Sequence, residues 1–180
     1  MAPAGRVLRH DARGMKRLYL LRHAKSSWDD TELPDIERPL NARGEKASKR
    51  LGKYLRNDGI MPELVLCSPS VRTRETLQRI GLDESETKFE DAIYEATAGE
   101  LLEVLHEVRP GLESVMLIGH NPGMERLAMT LVRGGDEKAL ERMRRKYPTA
   151  ALATLSFYGS WAELGPDDAE LVSFVTPKQL

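Results

Sequence analysis

At 180 residues, 41% hydrophobic and 31% charged, the chain has material for one well-filled core but not for two comfortable domains. Lysine and arginine number 27 against 28 aspartates and glutamates, a net charge of −1, which excludes a global electrostatic pull toward nucleic acid or an anionic membrane. A single cysteine, Cys67, excludes an internal disulfide framework and any multi-thiolate metal site, and no apolar run reaches the roughly 18 residues of a membrane-spanning helix.

The opening MAPAGRVLRHDARGMK carries basic residues without a continuous apolar segment, so it does not read as a secretory signal. We expect a flexible extension over residues 1–16, ahead of a start near Met15, and one domain over residues 17–180. The lone cysteine fits a reducing, cytoplasmic setting.

Short apolar runs predict strands at Arg17–Leu21, Leu64–Cys67, Ser114–Ile118, Ala151–Phe157 and Leu171–Val175. Between them the apolar residues recur at helical spacing. Glu45–Arg56 offers Ala47, Leu51, Tyr54 and Leu55 on one face; Thr73–Ile80 offers Leu77 and Ile80. Gly99–Val108 offers Leu101, Leu102, Leu105 and Val108, and Met124–Val132 offers Leu127, Ala128, Leu131 and Val132. Alternation of strand and helix through the first 130 residues predicts an α/β fold with a largely parallel sheet. The wholly apolar run VMLIG reads as a strand covered on both faces. The last two strands, joined by a loop rich in Gly, Pro and Asp, read as an antiparallel addition that makes the sheet mixed.

Three of these strands deliver polar residues at their carboxyl ends. LYLL runs into Arg22-His23, LVLC into Ser68-Pro69-Ser70-Val71-Arg72, and VMLIG into His120-Asn121-Pro122-Gly123. Ligands of open α/β sheets bind in the crevice beyond the carboxyl ends of the strands, so parallel strands would bring Arg22, His23, Arg72 and His120 to one rim. Two guanidiniums and two imidazoles suit an anion with several oxygens, because arginine offers paired N–H donors and stays charged. Singly, each residue has an ordinary structural explanation; the agreement of three strand ends carries the functional reading. Arg74 and Arg79 read as solvated positions on the helix after Arg72. His10 follows no apolar strand, and His106 reads as a helix-surface or packing residue.

A phosphate pocket needs a nucleophile. Cysteine phosphatases place five residues between Cys and Arg, whereas four separate Cys67 from Arg72 here and the loop lacks a run of glycines. Cys67 therefore reads as a buried strand-end residue. No His/Asp cluster has metal-ligand spacing, an arginine-lined pocket would repel a cation, and no GxxxxGK[ST] loop is present. Histidine remains. A neutral imidazole attacks phosphorus when its other nitrogen is held by a hydrogen bond, and positive neighbours both disfavour the imidazolium and stabilise the transferring group.

The motifs LLRHA around His23, CSPSVRTRET around Arg72 and IGHNPG around His120 resemble those of the histidine phosphatase superfamily. With ERPLNARG at residues 37–44 and YPTAALATLSF at residues 147–157, the likeness is to its small SixA-type branch of phosphohistidine phosphatases, from about Lys16 to about Phe174. The resemblance implies a three-layer, phosphoglycerate mutase-like α/β fold, a mostly parallel mixed sheet flanked by helices. It implies that His23 becomes phosphorylated, that Arg22 and Arg72 clamp the phosphoryl oxygens, and that His120 donates to that group in the transition state. No metal or other cofactor is implied. RHA stands where many members have RHG, a small change.

Larger relatives use a carboxylate between the second and third motifs as general acid. Glu95, in AIYEATAGE, is the first candidate and Asp91 the second; position alone reads both equally well as loop carboxylates. The charged loop holding Asp29, Asp30, Asp35, Glu37 and Arg38 is expected at the pocket rim or in solvent, and Trp28 as a substrate wall or a loop anchor. The short inter-motif segments leave no room for a long lid, which favours a phosphohistidine-bearing protein over a small phosphorylated metabolite. A non-catalytic phosphate-binding module is the third reading. Neither the physiological partner nor the oligomeric state is legible.

Overall fold

The computed structural model describes residues 14–180. One seven-stranded sheet runs β3-β2-β4-β1-β6-β7-β5. Its strands are β1 (Met15–Arg22), β2 (Leu64–Cys67), β3 (Glu86–Phe89), β4 (Ser114–Gly119), β5 (Val132–Gly135), β6 (Leu152–Tyr158) and β7 (Ala169–Val175). The helices are α1 (Ala42–Asn57), α2 (Val71–Ile80), α3 (Ala98–His106), α4 (Gly123–Leu131) and α5 (Glu137–Arg145). Strands β3, β2, β4 and β1 are mutually parallel. β6 reverses direction against β1, and β7 reverses again.

The period-2 alternation of the central strands sorts the core into two layers. Leu18 and Leu20 of β1, with Val115 and Leu117 of β4, pack with Leu101 and Leu105 of α3, Leu127 and Leu131 of α4 and Met143 of α5. Tyr19 and Leu21, with Met116 and Ile118, pack with Leu51 and Leu55 of α1 and Ile80 of α2. Helices thus cover both faces, and the sequence reading of β4 as doubly covered holds: Val115 to Ile118 have no exposure. Burying each such side chain contributes about 1.5–3 kcal/mol.

The helix starts follow local chemistry. Asn41, Ser70, Thr97 and Asp136 each accept a backbone N–H at the first turn of α1, α2, α3 and α5. α2 stops at Gly81, whose φ of 72° is the left-handed conformation that glycine adopts without strain. Gly44 matters for another reason: a Cβ there would lie 2.1 Å from the Lys25 carbonyl oxygen, so α1 packs directly on the segment after His23.

The antiparallel pairing of β6 and β7 agrees with the sequence. Several expectations need correction. β1 begins at Met15, two residues before the predicted strand, and the buried Lys16 donates through Nζ to the Pro110 and Leu112 carbonyls; residues 1–13, including His10, lie outside the described residues. α4 ends at Leu131, and Val132 opens β5. β3, β5 and α5 were not anticipated. Arg79 is not simply solvated, since it pairs with Glu45 at 2.7 Å. Among the described residues, no helix is long and apolar enough to cross a membrane.

Candidate active site

Strand register brings the polar strand ends together. Arg22 pairs with Gly119 and Cys67 with Ile118, so the residues after β1, β2 and β4 emerge side by side. Two backbone bonds lock the junction: the His23 N–H donates to the Gly119 carbonyl and the Ser68 N–H to the Ile118 carbonyl, both at 3.0 Å. His23, Arg72 and His120 are buried, and Arg22 is half-buried.

His23 Nδ1 lies 2.7 Å from the Ala24 carbonyl oxygen. A carbonyl only accepts, so Nδ1 carries the hydrogen and Nε2 keeps its lone pair. Burial, opposed by the Ala24 hydrogen bond and joined by the charges of Arg72, Arg22 and Arg38, pushes the His23 pKa down to about 4. The imidazole is therefore neutral at physiological pH.

His120 sits 5.1 Å from His23 between ring centroids. Its Nδ1 is 3.3 Å from Arg72 Nη2 and its Nε2 is 2.7 Å from Ser68 Oγ. Guanidinium only donates, so Nδ1 accepts and Nε2–H donates to Ser68. Burial, joined by the nearby His23 and Arg72, lowers the His120 pKa to about 3. With both ring nitrogens engaged, His120 is free to donate to another acceptor only by giving up Ser68.

The two arginines are held at one end and open at the other. Arg22 Nη1 donates to the Tyr147 carbonyl at 2.9 Å. Arg72 donates through Nη1 to the Asp35 carbonyl at 2.7 Å and through Nη2 to Asp35 Oδ2 at 2.9 Å. The Nε–H groups of both are buried without a hydrogen-bond partner. Arg142 Nε is orphaned in the same way, so what distinguishes Arg22 and Arg72 is that their charges also act on the neutral His23 ring, a combination that fits an oxyanion.

Glu95 is exposed and holds a left-handed φ of 57°. It shares with His120, Asn121 and Arg126 a cavity of about 220 Å³; Asp91 is exposed in a short 3-10 turn and does not line that cavity. Cys67 has no exposure, and burial raises its thiol to about 12, so it carries no thiolate chemistry. His106 Nε2 meets the Leu164 carbonyl at 2.7 Å, a packing role as read from sequence. Trp28 is 66% exposed and stacks on the Arg38 guanidinium at 3.6 Å, so it covers Arg38 on the rim. Sequence reasoning missed Ser68, Tyr94 and Tyr147, and left Asp35 in a charged loop. The available signal was Ser68's position at the same strand end as Arg72.

The model of the histidine phosphatase superfamily, branch 1, matches residues 18–149. The chain belongs to that superfamily. An uncharacterised protein of Mycobacterium tuberculosis is 34% identical over 88% of this chain and its own entire length. Among solved structures, a provisionally assigned phosphohistidine phosphatase SixA from Nakamurella superposes with a TM-score of 0.82 at 28% identity, covering 91% of this chain and 97% of its own. Its counterpart from Agrobacterium tumefaciens gives 0.75 at 28% identity, covering 90% and 98%. This histidine phosphatase is therefore of the SixA type, a phosphatase with the phosphoglycerate mutase-like fold expected from its motifs.

Proposed function

We propose that this histidine phosphatase removes phosphoryl groups from phosphohistidine on a protein, by way of a phosphohistidine formed on His23 and without a metal ion. The observation that carries the reading is the His23 ring: Nδ1–H is tied to the Ala24 carbonyl, which leaves the Nε2 lone pair free, and the ring feels the charges of Arg72 and Arg22, whose Nε–H groups have no hydrogen-bond partner. In the first step Nε2 bonds to phosphorus, the bond from phosphorus to the substrate nitrogen breaks, and a proton restores the leaving imidazole to neutrality. In the second, a water oxygen bonds to phosphorus, the His23–phosphorus bond breaks, and one water proton leaves with the products. Arg22 and Arg72 hold the phosphoryl oxygens, and His120 joins them by exchanging its Ser68 contact.

The substrate class follows from the same site. Phosphohistidine has a leaving nitrogen that is easily protonated, so no dedicated carboxylic acid is required. The SixA-type relatives, named as phosphohistidine phosphatases, support a phosphohistidine substrate, and a cytoplasmic setting fits the buried free thiol of Cys67. A small phosphorylated metabolite is the second reading, favoured by one observation: Glu95 shares the cavity of His120, where it could protonate an alkoxide.

Rapid quench with a ³²P-labelled phosphohistidine protein should trap an acid-labile phosphoenzyme that is lost in His23→Ala. Full turnover by that variant would refute the mechanism, and higher kcat/KM on a phosphorylated metabolite than on the protein would reverse the substrate assignment.

A further inference from the structure

Asp35 is placed where a carboxylate has no obvious business, at the mouth of a site that attracts anions. Its side chain is 45% exposed, yet it joins three segments of the pocket. Oδ1 accepts from Arg38 Nε at 3.1 Å and Nη2 at 2.9 Å. Oδ2 accepts from Arg72 Nη2 at 2.9 Å and from the Tyr94 hydroxyl at 2.6 Å, while the Asp35 backbone oxygen takes Arg72 Nη1 at 2.7 Å. The Tyr94 ring stands edge-on to His120, 5.4 Å between centroids and 83° between planes.

We propose that Asp35 is a positioning residue: it fixes the Arg72 guanidinium by its outer fork and, through Tyr94, steadies the His120 ring, so that the inner Nε edge of Arg72 faces the phosphoryl group. This rests on the assignment of Arg72 and His120 to phosphoryl binding. The geometry fits the inference because a guanidinium held by one edge presents the other with its orientation fixed. Arg38 completes the clip. It is buried, donates to Ser26 Oγ at 2.9 Å and the Ser27 carbonyl at 3.3 Å, and is covered by Trp28. Asp35 is thereby anchored to the segment that follows His23.

Charge and geometry make opposite predictions for Asp35→Asn, and this gives the test. Asn presents an N–H₂ where one oxygen accepted, so it cannot satisfy Arg38, Arg72 and Tyr94 together. Coulomb's law alone says that removing a negative charge beside an anion site strengthens anion binding. Positioning says that the loosened Arg72 weakens it. Titration calorimetry of the full chain with orthovanadate should show affinity falling by roughly tenfold or more in Asp35→Asn. Tyr94→Phe, which keeps the ring, should show a smaller fall. The double variant should be no weaker than Asp35→Asn, as expected of residues acting as one unit. On turnover of a phosphohistidine peptide, Asp35→Asn should lower kcat as well as raise KM, with a thermal midpoint within a few degrees of the parent. Unchanged or tighter vanadate binding in Asp35→Asn, or additive losses in the double variant, would overturn the proposal. Vanadate binding needs no turnover, so failure of phosphoenzyme trapping on His23 would leave this measurement independent; if Asp35→Asn does not fold, Tyr94→Phe decides, and full affinity there overturns the link to His120.

Discussion

Replacing His23 with asparagine should flatten the acid side of the protein's stability curve. His23 has a pKa near 6.5 in the unfolded chain and about 4 in the fold. Its folded value is depressed, so between those two pH values the unfolded chain binds a proton that the folded one refuses. Stability attributable to this group is therefore intact above pH 6.5 and is lost as pH falls toward 4. Integrating the linkage from pH 7 to pH 4.5 gives a loss of about 2 kcal/mol for His23 alone. Asparagine does not titrate, so urea unfolding of wild type and His23→Asn at both pH values should show the variant gaining about 2 kcal/mol relative to wild type at the lower pH. Other titrating groups are common to both proteins and largely cancel in that difference, except that relieving His120 of the His23 charge adds in the same direction. They include Asp35, whose carboxyl burial pushes up but whose hydrogen bonds from Tyr94, Arg38 and Arg72 hold it well below the usual carboxylate range. A stability difference that does not change with pH would show that His23 titrates like a solvated imidazole. The claim that it stands neutral because it is buried among cations would then fail.

Ser68→Ala should leave the Nε2–H of His120 buried without an acceptor, costing about 1–3 kcal/mol of stability; denaturant midpoints should show the drop. Gly44→Ala would push a methyl group into the Lys25 carbonyl, with a loss of about 1–3 kcal/mol from overpacking and a fall in kcat/KM as the segment after His23 shifts. An unchanged midpoint for Gly44→Ala would mean that α1 does not hold that segment.

What the sequence disclosed and what it hid have a common physical reason. The central strands were legible because both faces are buried, so β1 and β4 read as uninterrupted apolar runs ending in charge. β3 and β5 were not: ETKF lies exposed at one sheet edge, and VRGG alternates half-buried and exposed at the other. α5 does place Ala139, Leu140 and Met143 on one face at helical spacing, a signal no weaker than the one that marked α2. At the site, Arg22, His23, Arg72 and His120 could be grouped because each ends a recognisable strand or opens the helix after one. Asp35 could not, since it sits in a loop and its partner Arg72 is 37 positions away. Neither periodicity nor local spacing encodes such a contact. The tautomers of His23 and His120 were likewise out of reach, because they depend on which carbonyl or guanidinium stands opposite each ring nitrogen.

The order of strands in the sheet also bears on when the site comes into being. β1 is the first described element of the chain, but its two neighbours begin at Ser114 and Leu152. During synthesis the strand carrying Arg22 waits for partners made much later, and such long-range pairing is slow to form. A chain interrupted before Gly119 lacks the carbonyl that receives the His23 N–H, and one interrupted before Tyr147 lacks the carbonyl that receives Arg22. Nascent or clipped fragments therefore hold His23 without the frame that orients it. On the mechanism proposed above, the capacity to accept a phosphoryl group arises late, with closure of the sheet around its oldest strand.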